Sequence, residues 1–112
     1  MKQVLTFGEI LIRQQTLAST FFQEGKNYLE IFAGGSEANV AVSLAHMGTP
    51  VAYASAFPDN SLSLELLSLL NNKGVDCSRC ISSGDRLGTY ILQSANGLTK
   101  GDVIYDRKYS SF

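Results

Sequence analysis

Metal-ligating side chains are scarce in this chain, and their scarcity closes off one broad class of function. There is one histidine, His46, and the two cysteines, Cys77 and Cys80, stand as a single C-x-x-C. Structural zinc takes four ligands, and without a second cysteine pair the set stays incomplete. A redox C-x-x-C usually belongs to a strand-helix unit. Here Gly74-Val75-Asp76 before the pair and Ile81-Ser82-Ser83-Gly84 after it read as strand and loop. Two reduced thiols in a reducing compartment are therefore expected. An excess of positive charge is also lacking. Nine basic residues face ten acidic ones, the net charge is −1, and no basic stripe exists, so nucleic acid is not an expected partner. No apolar run approaches the ~18 residues of a membrane span. The opening Met1-Lys2-Gln3-Val4-Leu5-Thr6-Phe7-Gly8-Glu9 turns polar too soon for a signal peptide. A cytoplasmic location is the expectation. Both common nucleotide fingerprints, G-x-G-x-x-G and G-K-[ST], are absent. There are no internal repeats, low-complexity stretches or linkers, so one domain is expected from 112 residues.

What is present begins with Ala33-Gly34-Gly35-Ser36-Glu37-Ala38-Asn39-Val40-Ala41. A double glycine opens directly into a helix pattern. Glycine lets backbone approach a ligand closely, and a helix N-terminus offers unpaired N–H groups to polar atoms. Asn39 projects near that end, because helical side chains lean toward the N-terminus. The run is either a cradle for a small oxygen-rich molecule or a tight strand-to-helix turn. Without a phosphate-loop signature, a polyol or sugar acid suits it better than a nucleotide phosphate.

Periodicity places the elements. Val4 to Phe7 reads as a buried strand continuing toward Ile10, Leu11 and Ile12. Phe21-Phe22-Gln23 and Tyr28 to Phe32 are strand candidates around a Gly25-Lys26-Asn27 turn. A helix runs from about Ser36 to Met47, with Ala38, Ala41, Val42 and Ala45 on one face and Gly48 as its stop. Val51 to Phe57 is the next strand, ended by the turn Pro58-Asp59-Asn60. A second helix follows from about Ser61 to Asn72, with Leu62, Leu66, Leu69 and Leu70 as its core stripe and Gly74 as its end. This β-α-β-α order predicts an α/β fold, a parallel sheet covered by helices. The last third reads differently. Thr89 to Ser94 and Val103 to Arg107 are strands joined through an Asn96-Gly97 turn, expected to pair antiparallel as a flap.

Strand alternation puts Tyr105 and Arg107 on one face, beside the strand that holds Tyr90. One reading is a polar wall of two phenols and a guanidinium, suited to a carboxylate-bearing sugar. The other is a solvated arginine beside two packed tyrosines. Glu9 follows the first strand, where α/β sheets place ligand groups; it either hydrogen-bonds a ligand hydroxyl or, the reading slightly preferred, faces water. His46 is expected on the surface or packed. Asp59, Asp85 and Asp102 read as turn residues, and Asp106 alternates away from Arg107.

Together these stretches resemble the amino-terminal part of the ribokinase-like (PfkB) sugar kinases. They are Thr6-Phe7-Gly8-Glu9-Ile10-Leu11-Ile12-Arg13, the double-glycine run, Gly74-Val75-Asp76 with Arg86-Leu87-Gly88-Thr89-Tyr90, and Val103-Ile104-Tyr105-Asp106-Arg107. The double glycine marks the superfamily, and the Tyr-Asp-Arg strand points to its 2-keto-3-deoxygluconate kinase branch. The resemblance implies that residues 1–112 are the amino-terminal portion of one ribokinase-like domain. It adds a small β-sheet lid of strands at approximately 10–35 and 86–110. Gly34, Gly35 and Asn39 would line the sugar site, with Tyr90, Tyr105 and Arg107 above it and Arg107 near the substrate carboxylate. The family reaction moves the γ-phosphoryl of MgATP to a sugar hydroxyl, using an aspartate base in a D-T-x-G-A-G-D-like stretch. That stretch is absent, so no catalytic, cofactor-binding or metal-binding residue is assigned in this chain. Two departures from the family pattern stand out. Ser61-Leu62-Ser63-Leu64 lacks the usual Gly-Asp before the helix, and Lys100-Gly101-Asp102 replaces an Arg-Pro-containing approach to the last strand. Lid strands in this family often pair between subunits, which implies a homo-oligomer.

Overall fold

Val4–Phe7 forms β1, the edge of a parallel pair. Its partner is β4, Val51–Ala54, in the register Val4↔Val51 through Phe7↔Ala54. The computed structural model describes residues 2–94 and 102–112, so the Asn96-Gly97 turn and Lys100-Gly101 lie outside the described residues. The parallel unit extends past β4 through a bridge from Ala52 to Asp76, held by Tyr53 N–H to Asp76 O at 2.9 Å and Asp76 N–H to Val51 O at 3.0 Å.

The expected continuous strand from Val4 to Ile12 is broken. β1 stops at Phe7, and β2, Leu11–Thr16, belongs to a different sheet. Between them the buried Tyr53 hydroxyl donates to Gly8 O at 2.5 Å, while Ile10 turns into the core. Gly8-Glu9 interrupts the apolar pattern there, but periodicity does not say that the flanking segments belong to different sheets.

The second sheet has the order β3-β2-β7-β8. β3 is Leu29–Gly34, antiparallel to β2; β7 is Gly88–Leu92, parallel to β2; β8 is Val103–Asp106, antiparallel to β7. The expected pairing of the Tyr90 and Tyr105 strands is present, with those two residues directly opposite. Phe21 to Gln23 is not a strand. Asn27 holds that backbone by accepting from Gln23 N–H at 2.9 Å and donating to Gln23 O at 3.2 Å. Such local side-chain bonds compete with ladder formation.

α1, Ser36–His46, packs its alanine face on β1 and β4, with Ala38 and Ala41 buried. Gly48 ends it at φ +82°, with Gly48 N–H on Ala45 O and Thr49 N–H on Leu44 O, both 3.0 Å. This is a Schellman stop. α2, Ser61–Asn72, is capped by Asn60, whose side chain accepts from Ser63 N–H at 2.9 Å. Only Leu66 and Leu70 of its expected core stripe are buried; Leu62 and Leu69 stay 44% and 41% exposed. The sheet beneath is too narrow to cover a wide apolar face.

Val51 to Phe57 is two strands rather than one. β5, Ala56–Phe57, pairs in parallel with β6, Ile81–Ser82. The switch falls at Ser55, whose carbonyl accepts from Ile81 N–H at 3.0 Å. The core gathers Ile10, Ile12, Ala41, Val51, Tyr53, Phe57, Leu66, Leu70 and Val75. Cys77 and Cys80 are free thiols packed at its margin. The Cys80 thiol donates to Tyr53 O at 3.3 Å. Its hydrogen bond to Cys77 and burial push the Cys77 thiol up, disfavouring the thiolate. No helix among the described residues is long and apolar enough to cross a membrane.

Candidate functional site

A cleft of about 500 Å³ opens between the end of β1, the start of α1 and one face of the second sheet. Its floor is Gly8, Gly35, Ser36 and Asn39; Tyr90, Tyr105 and Arg107 stand opposite. The structure thus brings five of the six expected site residues to one cavity. The sixth, Gly34, does not line it. It lies behind Tyr90, and a Cβ there would sit 2.9 Å from the phenolic oxygen.

The double glycine is needed on steric grounds. Gly35 is the residue before α1 and has φ +118°, a region that side chains disfavour. A Cβ at Gly35 would come within 2.6 Å of Glu9 O. The first turn of the helix therefore reaches the end of β1 without a side chain between them. Its leading N–H groups have no partners within the helix. Glu37, in that first turn, lines the same cleft and carries the sign a helix N-terminus favours.

Tyr90 and Tyr105 lean together with ring centroids 5.5 Å apart and planes tilted by 36°. That offset is a favourable aromatic arrangement. The rings give the cleft a flat apolar wall edged with hydroxyls. Phe7 and Phe112 form a second tilted pair, centroids 5.2 Å apart, at the rim. Asp106 points away, as expected, and pairs with Arg86 at 2.8 Å.

Glu9 overturns its expectation. It does not face water: it is only 8% exposed, and its Oε1 lies 2.7 Å from Arg107 Nη2. Ser110 Oγ donates to its other oxygen. Gly88 makes room for this, since a Cβ there would be 2.8 Å from Glu9 Oε2 and 2.9 Å from Arg107 Cβ. Ser110 and Phe112 lie in the last few residues, where no periodic pattern marks them. His46 is exposed and remote from the cleft lining. No cluster able to hold a metal ion occurs among the described residues.

The lining offers phenol, amide, guanidinium and carboxylate groups, donors and acceptors together, around a half-polar hollow. That composition complements a small polyhydroxy molecule. A helix-covered parallel unit facing a curved four-stranded sheet over such a cleft is the amino-terminal architecture of the ribokinase-like sugar kinases. The chain belongs to the pfkB family of carbohydrate kinases, whose sequence profile matches residues 1–112. It is 37% identical over 79 residues to the 2-dehydro-3-deoxygluconokinase of Bacillus subtilis (strain 168), covering 69% of this chain and 24% of that one. A PfkB carbohydrate kinase from Listeria grayi DSM 20601 superposes with a TM-score of 0.91 at 41% identity, over 99% of this chain and 34% of that one. The 2-dehydro-3-deoxygluconokinase of Thermotoga maritima superposes at 0.86 with 30% identity, again over 99% and 34%. The chain thus spans about a third of the length of these solved relatives.

Proposed function

We propose that this chain is the sugar-acid-binding and lid portion of a kinase for 2-keto-3-deoxygluconate or a similar sugar acid. The observation that carries this reading is the meeting of Tyr90, Tyr105 and Arg107 with Gly35 and Asn39 across one cleft. The names of the Bacillus and Thermotoga relatives support the choice of substrate. In this reading the second sheet is the lid. Arg107 receives the substrate carboxylate through its fork of N–H groups. The tyrosine hydroxyls and Asn39 engage the sugar hydroxyls, and the rings exclude water from the ligand's apolar edge.

The whole enzyme transfers a phosphoryl group from MgATP to a sugar hydroxyl, in a reducing cytoplasmic setting. The residues present here do not fit the nucleotide. The sequence has no phosphate loop, and no metal-holding cluster occurs among the described residues. ATP and the base therefore belong to the rest of the domain, and the 112-residue chain alone performs no turnover. The test is titration of this chain with 2-keto-3-deoxygluconate, followed by amide NMR. Shifts at Gly35, Asn39, Tyr90, Tyr105 and Arg107 are expected. ATP-dependent turnover by the isolated chain would overturn the division of labour.

A second reading is favoured by the outer strands of the lid. β8 is exposed along its whole length, and Ile31 on β3 is 69% exposed. In this reading the chain is a non-catalytic module that dimerises through those strands. Mixing it with a complete kinase separates the two, because only this second reading requires a heterodimer.

A further inference from the structure

The geometry points to Glu9 as a positioning residue that fixes the Arg107 guanidinium for a ligand carboxylate. This inference rests on the sugar-acid reading of the cleft. Glu9 is the end of a short relay. Its Oε2 accepts from Ser110, its Oε1 lies 2.7 Å from Arg107 Nη2 in an ion pair, and its backbone is pinned between Gly35 and the Tyr53 hydroxyl bond at Gly8. The carboxylate is buried, whereas the Arg107 side chain is 49% exposed. Part of the guanidinium is thus engaged by Glu9, and Arg107 also lines the cleft.

An arginine has five N–H donors in a planar fork, and one carboxylate cannot use them all. A guanidinium held between a buried protein carboxylate and an incoming ligand carboxylate satisfies both. Preorganisation of this kind raises affinity by removing the ordering cost of a long, flexible side chain. The packing enforces the same arrangement. Gly88 leaves the space through which Arg107 reaches Glu9, and any side chain there would collide with both.

The charge balance adds a specificity consequence. Glu9 and Glu37 are the acidic lining residues and Arg107 the basic one, so these three sum to −1. Glu9 cancels the attraction that a bare arginine would exert on any passing anion. Binding then needs the in-plane match of fork and carboxylate as well as opposite charge.

Glu9→Gln keeps the size and an accepting oxygen but removes the charge. Two readouts on the 112-residue chain test the role. The first needs no ligand: in the native chain the Arg107 side-chain NH resonances should be resolved and slow to exchange, and in Glu9→Gln they should collapse toward the free-arginine signal. The second is affinity: Glu9→Gln should bind 2-keto-3-deoxygluconate about tenfold more weakly, with D-fructose, the carboxylate-free probe, unchanged. An Arg107 signal indifferent to Glu9→Gln, or tighter binding of the acid by that variant, overturns the positioning role. An ordered Arg107 in a native chain that binds neither sugar overturns the sugar-acid reading instead. Should Glu9→Gln lose its amide dispersion, Ser110→Ala removes only the Oε2 bond. It should move both readouts the same way by a smaller amount, and its failure to do so sinks the proposal.

Discussion

In the proposed reading Arg107 does two jobs through one group, and substitutions there can separate them. Lysine keeps the charge opposite Glu9 but loses the planar fork. Arg107→Lys should therefore preserve the amide spectrum while weakening 2-keto-3-deoxygluconate by about 1.5–3 kcal/mol, read by titration. D-fructose should lose much less; equal losses would refute the carboxylate role. Gly88→Ala tests the space beside the pair. Its methyl would stand 2.5 Å from Leu11 Cδ2 and 2.8 Å from Glu9 Oε2. Overpacking of that kind costs roughly 1–3 kcal/mol, so a lower urea midpoint is expected. Tyr53 supplies a pH dependence. Burial pushes its phenol from the usual 10.0 to about 12, with the Ser55 hydroxyl offsetting part of the effect. The folded chain then holds a proton that the unfolded chain releases. This stabilisation is complete below pH 10 and is lost as pH rises from 10 toward 12. It amounts to roughly 2–3 kcal/mol. Tyr53→Phe should flatten the stability curve across that window, as measured by denaturation at each pH.

At the scale of elements, both helices and their glycine stops were legible in the sequence, because each has a start signal, a periodic face and a breaker. Their bounds differ little from expectation: α1 ends at His46 rather than Met47. The two tyrosine strands were legible as well, because alternation fixes which side chains share a face. Three features were not. The sheet change at Gly8–Ile10 lies between two apolar segments, and nothing local says that they join different sheets. The break at Ser55 depends on a partner strand that begins at Ile81, far along the chain. The burial of Glu9 depends on Arg107 and Ser110, near the other end of the chain. Periodicity reports neighbours a few residues away and is silent about such pairings. Asn60 shows how local chemistry can stand in for a family pattern. It caps α2 just before Ser61-Leu62-Ser63-Leu64, the stretch that departs from the family pattern in the resemblance. Asn60→Ala should cost about 1 kcal/mol, seen as a lower denaturation midpoint.

The whole molecule is more open than a closed domain of its length. Its radius of gyration is 15.7 Å, against the ~13 Å of a compact 100-residue domain. Among the described residues β1 pairs on one side only, and Val4, Leu5 and Phe7 along it are exposed. Unpaired edges with apolar side chains invite association. Sedimentation of the isolated chain should show mass rising with concentration, and a strictly monomeric profile would count against an adhesive edge. The bond between Ser110 and Glu9 joins residues 101 positions apart. The parallel pairing of β2 with β7 likewise spans most of the sequence. Contacts this distant close late and slow folding. On the ribosome, then, Glu9 is made well before Arg107 and Ser110 and waits for them before its surroundings exist. A nascent chain halted before β7 would have both helices and the floor of the cleft, but none of the three residues that face it.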